Sequence, residues 1–464
     1  MPASLVMKKF SAFTLGLFAI VLPNVWAFAA SGILIRIYAS GMPILVWGSL
    51  AVGVVLSLLV TSFAEFGSAY PSVAGCVTLA SELGGPRYGR ICGFMTGGLH
   101  ALASLITPAC LIISHAPFVS TMAMVMNPSW SPTRWQSFLI CQAVNLAVML
   151  ICLRGSRFLE VIAAVASVIL FGLFFSSVGV IVGCADPTAP SEFVWSRIQN
   201  VSGWPNSLAF RIGASGPLSG YGPTHWVLNM AEDVDDPRRA IPIAFLMQQL
   251  GSVLTLFIFF IAIGYGVGEN RSVIIDSPYP APIHGCGTKA FPFSEWMGAY
   301  DSRLQIPQNI IYVIFAFNVV LGFVELGSSS ALVTLVGAAT VLFSVGYIPV
   351  FIAYLATGGR HLGTKGWFRL PRRVSLGLAA FNVASLVLQC VMLCLPPSYP
   401  ITVENMNWAS AVAGGFILFL VFGFWAYGSS HYDADEDLVI HGERLLQKVS
   451  EPGALDVVDI DGKK

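Results

Sequence analysis

The chain has 464 residues, of which 56% are hydrophobic and only 10% are charged, against roughly 25% charged residues in soluble globular domains. Its 24 basic and 24 acidic residues balance to a formal net charge of zero, so no nucleic-acid partner is indicated. This composition excludes a soluble globular protein and indicates an integral membrane protein with many spans.

Eleven apolar runs are long enough to cross a bilayer, because a span needs about 20 residues. They are residues 10–35, 43–66, 91–116, 135–153, 158–183, 208–231, 241–266, 306–323, 328–356, 375–395 and 408–427. We therefore expect an all-α membrane protein with one transmembrane permease domain at residues 10–427. A short cytoplasmic N-terminus (1–9) precedes it, and a polar C-terminal tail (428–464) follows.

Basic residues predict the orientation of the first seven runs, since Lys and Arg favour cytoplasmic loops. With the N-terminus inside, the inner loops collect Lys8, Lys9, Arg87, Arg90, Arg154, Arg157, Arg238 and Arg239, and the outer loops hold Arg36, Arg134, Arg197 and Arg211. Two N-x-S triplets, at Asn200 and Asn270, then lie in outer loops, where glycosylation is a candidate modification.

The alternation of inner and outer loops fails after the seventh run. Residues 267–305 are too polar to cross the bilayer, and the next two runs are joined by so short a connection that they form a hairpin. The loop GGRHLGTKGWFRLPRR would then be outside, although it is the densest basic cluster in the protein. One crossing is therefore predicted to be missing between Trp296 and Ile306.

The sixth run is interrupted by residues that an unbroken helix would not use. Residues 208–244 begin as a membrane helix and end in the charged stretch AEDVDDPRR, and between these parts they carry Gly213, Gly216, Gly220, Gly222 and Pro223. Backbone groups freed inside a bilayer are satisfied by protein, a water-filled cavity or a solute. Such interruptions are typical of transporter binding sites, and a packing kink is the alternative.

The first run carries a similar but smaller signal. Pro23 kinks a helix, and Asn24 is costly in lipid unless its side chain faces protein or water. Histidine is also unusual within a span, and it titrates near physiological pH. We therefore expect His225, which follows the sixth-run interruption, to take part in proton coupling or in the charge preference of a site. A histidine hydrogen-bonded within the bundle is the alternative, and His100 in the third run has the same two interpretations.

Several motifs match one protein family. They are AEFGSAYPSVAG at residues 64–75, VSGW at 201–204, MAEDVDDPRRAIPIA at 230–244, FPF at 291–293 and LGSSSA at 326–331. On these motifs the chain, from Lys9 to about Tyr427, resembles a fungal permease of the amino acid, GABA and choline branch of the amino acid–polyamine–organocation (APC) superfamily.

The resemblance implies a LeuT-like 5+5 inverted-repeat bundle with two peripheral helices, in which the first and sixth helices are broken around the substrate. The substrate-binding residues that it implies are Pro23, Asn24, Val25, Trp26, Ser219, Gly220, Tyr221, Gly222, Thr224 and His225. It also implies twelve helices, so the eleven apparent ones are interpreted as that pattern without helix 8, a helix that lines the substrate path. Members often carry G-[FY]-D at the second break, where this chain has Pro223, Thr224 and His225, which puts recognition of a cationic group in doubt.

Charged residues at the inner ends of the spans are candidates for an inner gate. They are Glu65, Glu232, Asp233, Arg238 and Arg239, and a solvated loop is the alternative interpretation.

The function expected from these features is secondary active transport of an amino acid or related amine such as GABA, choline or a polyamine, coupled to protons. The alternatives are a transporter-like nutrient sensor, or an impaired or incorrectly predicted permease that lacks one helix. No catalytic constellation, nucleotide loop or metal-ligand spacing occurs, so neither an enzyme nor a cofactor or metal is expected. The expected location is the plasma membrane, with a vacuolar or other endomembrane as the alternative.

Overall fold

The protein is described here from a computed structural model, and its regular elements are helices. The structure describes residues 10–31, 41–126, 133–155, 159–183, 185, 188–198, 200, 202–266, 308–327, 331–363, 366–396, 399–401, 406–428 and 432. Asn270, the FPF motif, the predicted N-terminus (1–9) and all of the predicted C-terminal tail except Gly428 and Tyr432 lie outside these residues.

Thirteen α-helices are present in the described part of the chain. They are α1 (Ala12–Val21), α2 (Val25–Ser31), α3 (Ser49–Ala69), α4 (Cys76–Met126), α5 (Arg134–Gly155), α6 (Leu159–Gly183), α7 (Ser191–Trp195), α8 (Asn206–Gly220), α9 (Pro237–Gly266), α10 (Gln308–Gly327), α11 (Ala331–Ala356), α12 (Arg372–Cys394) and α13 (Ala409–Gly423). A 3₁₀-helix, Thr224–Asp233, follows α8, and π-helical turns at Ile44–Gly48 and Phe424–Gly428 adjoin α3 and α13.

Within the described residues, nine helical segments are long and apolar enough to span a membrane. Two further predicted runs fall below that length because one is broken into α8 and the 3₁₀-helix, and the other is the shorter apolar helix Ile311–Phe323. Helices α6 and α13 present large apolar side chains outward, such as Val168 (75% exposed) and Leu418 (71% exposed). In a protein with this many apolar helices, those faces are suited to lipid. The chain is therefore an all-α, multi-pass membrane protein.

The third run is longer than its hydropathy predicts. Helix α4 begins at Cys76, well before the expected apolar run at residues 91–116, and bends at Gly85, whose φ of 57° is open to glycine without strain. Pro86 opens the second segment, a position that tolerates a missing N–H. The sequence predicts a start only at Ile91 because Glu82, Arg87, Arg90 and the glycines around the bend lower the hydropathy of the first part of α4.

The ends of α3 and α9 define one face of the bundle. Arg238, at the start of α9, donates to the Ala69 carbonyl at the end of α3 with an N···O distance of 3.2 Å. We call this the inner face because it carries the basic residues that predict the cytoplasmic side. The other end of α9, at Gly266, packs against Ile181 near the end of α6, so α9 ends at the outer face.

Helix α10 runs antiparallel to α5 and therefore begins at the inner face. Phe138, early in α5, contacts Phe323, late in α10, with ring centroids 4.7 Å apart. Further along α5, Asn145 donates to the carbonyl of Phe315, which lies earlier in α10. Since α5 itself starts from the outer end of α4, the chain leaves α9 outside and enters α10 inside. This change of face between two described helices is the same parity problem that the sequence presents, and the crossing predicted to be missing between Trp296 and Ile306 lies outside the described residues.

Helix α11 packs along α4 and completes the centre of the bundle. Gly346 on α11 lies against the ring of His100 on α4, and a side chain there would overlap that ring. From the end of α11, the chain returns under α3 before α12 begins, so its basic loop lies on the inner face. The positive-inside interpretation of this loop and its position in the fold therefore agree.

Candidate functional site

The first helix is interrupted at residues 22–24, which we call the first break. Helix α1 ends at Val21 and α2 begins at Val25, with Pro23 and Asn24 between them. Asn24 has a φ of 37°, a left-handed conformation that Asn tolerates better than most residues. Its side-chain oxygen is buried and has no hydrogen-bond partner among the described residues. The break is thus set by two adjacent residues and leaves one polar atom unsatisfied.

The sixth helix is interrupted at residues 221–223, which we call the second break. Helix α8 ends at Gly220, and the chain resumes at Thr224 as a 3₁₀-helix of ten residues. Runs of 3₁₀ structure beyond three or four residues are uncommon, and within a helix they often mark a hinge. The Tyr221 carbonyl accepts hydrogen bonds from the Thr224 amide (3.2 Å) and hydroxyl (2.5 Å). The predicted interruption of this run is therefore present as a turn with its own hydrogen bonds.

The two breaks touch each other. Gly220, the last residue of α8, packs against Val25 and Phe28 of α2, and a Cβ at Gly220 would lie 3.2 Å from Val25 Cγ1. Glycine is favoured at this position because even a methyl group would be tightly packed against α2. Trp26 instead points away from the second break, contacting Phe174 and Phe259 at centroid distances of 5.5 and 5.0 Å.

A cavity lies beside this contact. It encloses about 410 Å³ of space free of protein atoms, part of which is open to the surroundings. It is lined by Pro23, Phe28, Thr107, Cys110, Leu111, Gly220, Pro223, Val336, Ala339, Thr340 and Phe343. The breaks, α4 and α11 therefore form its wall, and none of these lining side chains carries a formal charge.

Two stacked histidines adjoin the cavity. The rings of His100 and His225 are both buried, 4.3 Å apart and inclined by 21°. Phe343, which lines the cavity, contacts both rings at 5.8 and 5.5 Å. The structure thus brings together the two histidines that the sequence offered separately.

Tyr347 of α11 connects the histidines to the second break. Its hydroxyl donates to the Gly222 carbonyl (2.5 Å) and lies 2.8 Å from His225 Nδ1. A phenol has one proton, so the Nδ1 of His225 must carry its own proton and donate to the phenol oxygen. His100 Nε2 lies 3.4 Å from the Phe343 carbonyl, an acceptor, so this nitrogen is protonated too.

Sequence reasoning missed Tyr347 and Phe343. Each lies in a uniformly apolar run, so neither polarity nor periodicity distinguishes the face of α11 that meets the second break. The adjacent Gly346, which makes room for His100, is the one local signal. Ser219 lies in the last turn of α8, and its side chain is not among the described ones.

The five candidate inner-gate residues all lie at the inner face. The Glu65 carboxylate is buried and accepts hydrogen bonds from the Leu370 amide and the Ser375 hydroxyl. Arg239 lies over the Trp367 ring, 5.7 Å from its centroid. Arg238 reaches α3, the Asp233 carbonyl accepts from the Phe10 amide, and Glu232 is exposed nearby.

Asn200, a candidate glycosylation site, has a structural role in its loop. Its amide nitrogen donates to the Trp204 carbonyl (2.6 Å) and to Asn206 Oδ1 (2.9 Å). Its oxygen accepts from the amide and the hydroxyl of Ser202. These bonds shape the entry into α8.

Interrupted helices that meet beside a cavity, within a bundle of apolar helices, define a membrane transporter. The chain belongs to the amino acid permease family, whose model matches residues 24–294, more than half of its length. This family is part of the APC superfamily, as the sequence motifs implied.

Relatives with curated names agree with this membership. The chain is 24% identical over 480 residues to the choline transporter of Saccharomyces cerevisiae, covering 93% of this chain and 83% of that protein. It is also 24% identical over 442 residues to a putative amino acid/polyamine transporter of Macrophomina phaseolina, covering 84% of this chain and 96% of that protein. An uncharacterized amino-acid permease of Schizosaccharomyces pombe is 23% identical over 432 residues, covering 82% and 75%.

Proposed function

We propose that this protein is a secondary active transporter that carries an amino acid or a small organic amine and is coupled to protons. The observation that carries the proposal is the contact between the two breaks beside a cavity that both of them line. Backbone groups at such interruptions replace the hydration shell of a solute within the membrane. Alternating access would then follow from movement of the half-helices on either side of the breaks.

The uncharged lining leaves recognition of charge to the backbone. Helices α1 and α8 both end at the cavity, where their last carbonyls are the negative end of the helix dipole. The 3₁₀-helix begins there and presents the opposite polarity. An ammonium group would therefore bind toward the ends of α1 and α8, and a carboxylate toward Thr224.

The names of the relatives favour two substrate classes, quaternary amines such as choline and amino acids or polyamines. Phe28 and Phe343 line the cavity and supply ring faces that can attract a cation. A quaternary ammonium needs no hydrogen-bond acceptor, which suits a cavity without a carboxylate. GABA remains a further candidate, and the plasma membrane is the proposed location.

His225 is the proposed proton-coupling residue. It lies between the second break and His100, so a change in its charge would act directly on the broken helix. Two imidazolium rings 4.3 Å apart repel each other, so the pair is expected to hold one extra proton at most.

Uptake into proteoliposomes tests the function and the coupling together. Radiolabelled choline, GABA, putrescine and a panel of amino acids would be supplied from pH 5 to pH 8, with and without a protonophore. We expect one class to accumulate, the protonophore to abolish accumulation, and His225→Ala to lose the dependence of uptake on pH. Tyr312→Phe, which changes an exposed side chain on α10, is the control for effects of purifying and reconstituting a variant. If uptake by His225→Ala depends on pH as it does in the unaltered protein, another residue must couple transport to protons.

An impaired permease is the second candidate, favoured by one observation. Helix α9 ends at the outer face and α10 begins at the inner face, while residues 267–305 are too polar for an ordinary span. In this case solutes would bind to the purified protein, as measured by calorimetry, without accumulating in proteoliposomes.

A further inference from the structure

Residues 366–371, which we call the strap, connect α11 to α12 across the inner end of α3. Two strap amides are bonded to α3 side chains: Phe368 N–H donates to Ser68 Oγ (3.0 Å), and Leu370 N–H donates to Glu65 Oε1 (3.0 Å). Gly366 packs against the Ala69 backbone. The strap is therefore held by side-chain acceptors, which a change of protonation can alter.

Glu65 is the charged member of this contact. It is 1% exposed and is the one acidic side chain among the buried polar residues of the described chain. Its second oxygen, Oε2, accepts from the hydroxyl of Ser375 in the first turn of α12 (2.5 Å). A carboxylate at the start of a helix is favoured by the positive end of its dipole, so Glu65 holds both the strap and α12.

The groups around Glu65 come from each neighbouring element. Arg369 of the strap interacts electrostatically with the carboxylate, and Tyr354 of α11 interacts with both Glu65 and Ser375. Arg372 of α12 interacts with Tyr354 and donates to the Gly358 carbonyl. On the α9 side, Arg238 reaches the Ala69 carbonyl.

Protonation of Glu65 would weaken this arrangement at several points. The Leu370 amide can only donate, and a neutral carboxyl is a weaker acceptor than a carboxylate. The attraction to Arg369 and to the start of α12 would also disappear. Ser375 can rotate to accept the new proton, but its own hydroxyl hydrogen then loses Glu65 as its acceptor, so this contact would weaken as well.

The strap is connected to the end of the broken helix. Ser68, which accepts from Phe368, donates its own proton to the Arg238 carbonyl (2.7 Å). Arg238 starts α9, directly after the segment that follows the 3₁₀-helix. Release of the strap would therefore free a contact shared by α3, α9 and the second half of the sixth run.

We propose that Glu65 takes up a proton at the inner face and that this releases the strap, so that Glu65 and residues 366–371 form a proton-sensitive inner gate. This proposal rests on the proposed transport function and extends it. It places the proton sensor of the gate at a carboxylate on α3, apart from the histidine pair at the cavity.

Hydrogen exchange with mass spectrometry tests the gate without a substrate. The full chain in lipid nanodiscs would be exchanged at pH 5.5 and 7.5, with strap rates divided by the intrinsic rates at each pH. We expect the amides of Phe368 and Leu370 to exchange at least tenfold faster at pH 5.5, and Glu65→Gln to show the fast rate at both values. Ser62→Ala is the matched control, because Ser62 contacts Asn382 of α12 from the same helix without touching the strap.

Equal protection at both pH values in the unaltered protein would overturn the proposal. The exchange of peptides from α6, which is remote from the strap, shows whether Glu65→Gln has loosened the whole fold. If it has, the proposal is judged from the pH response of the unaltered protein alone. Transport is measured separately, as uptake into proteoliposomes. A strap that responds to pH in a protein without uptake would refute the proposed transport function but not the proton-sensitive contact between Glu65 and the strap.

Discussion

The two breaks are built in different ways. The first is made by neighbouring residues, a proline and an asparagine with a φ of 37°, whereas the second is held by Tyr347 from a distant helix. A locally encoded break persists whatever the rest of the bundle does. A break that depends on α11 can change when α11 moves, so the second is the better candidate for the moving part of the site.

The contact between the breaks gives the largest predicted effect. Gly220→Val would place side-chain atoms within the space of Val25 and Phe28. We expect uptake to fall at least 100-fold and stability to fall by about 1–3 kcal/mol, the usual cost of overpacking. Uptake and thermal unfolding in detergent would measure these two effects.

Gly377→Val is the matched control for that substitution. Gly377 lies on α12, and a Cβ there would meet no atom within 4 Å. Both variants add the same β-branched side chain to a helix, so they share the same effect on helix propensity. Similar losses in the two variants would mean that the meeting of the breaks is not what transport requires.

The second break is predicted to depend on a single hydroxyl. Tyr347→Phe would leave the buried Gly222 carbonyl and His225 Nδ1 without their partner. A buried polar group without a partner costs about 1–3 kcal/mol. We expect uptake to fall about tenfold and the melting temperature to fall, while Tyr312→Phe changes neither. Retained uptake with a lowered melting temperature would show that the Tyr347 hydroxyl stabilises the fold but is not needed for transport.

The same contrast explains how much could be predicted from the sequence. The positions of both breaks were predictable because Pro23, Gly220 and Pro223 act on their own backbone, whereas the bond from Tyr347 that holds the second break was not. The family and the helical class also followed from composition and motifs. These features are local, or depend on residue types that the family shares.

Contacts between distant segments could not be predicted in the same way. Tyr347 meets His225 across 122 positions of sequence, and Leu370 meets Glu65 across 305. The partner of a buried polar group depends on how helices rotate against each other, which a uniformly apolar run such as α11 does not encode. The start of α4 at Cys76 could not be predicted, because the glycines, the proline and the arginines of residues 84–90 are typical of loops.

The first break gives the smallest predicted effect, and two substitutions separate its backbone from its side chain. Asn24→Gly keeps the left-handed φ without strain, whereas Asn24→Ala makes it unfavourable by about 1 kcal/mol.

If Asn24 only shapes the chain, uptake by Asn24→Gly will stay within about twofold of the unaltered protein, and Asn24→Ala will be less stable. If instead its buried side-chain oxygen accepts a hydrogen bond from a bound solute, both substitutions will raise the KM for uptake. We expect the second pattern, because a buried acceptor without a protein partner costs free energy that a bound ammonium or hydroxyl would recover. A KM unchanged in Asn24→Gly would assign this residue to the backbone alone and leave the second break as the part of the site that selects the solute.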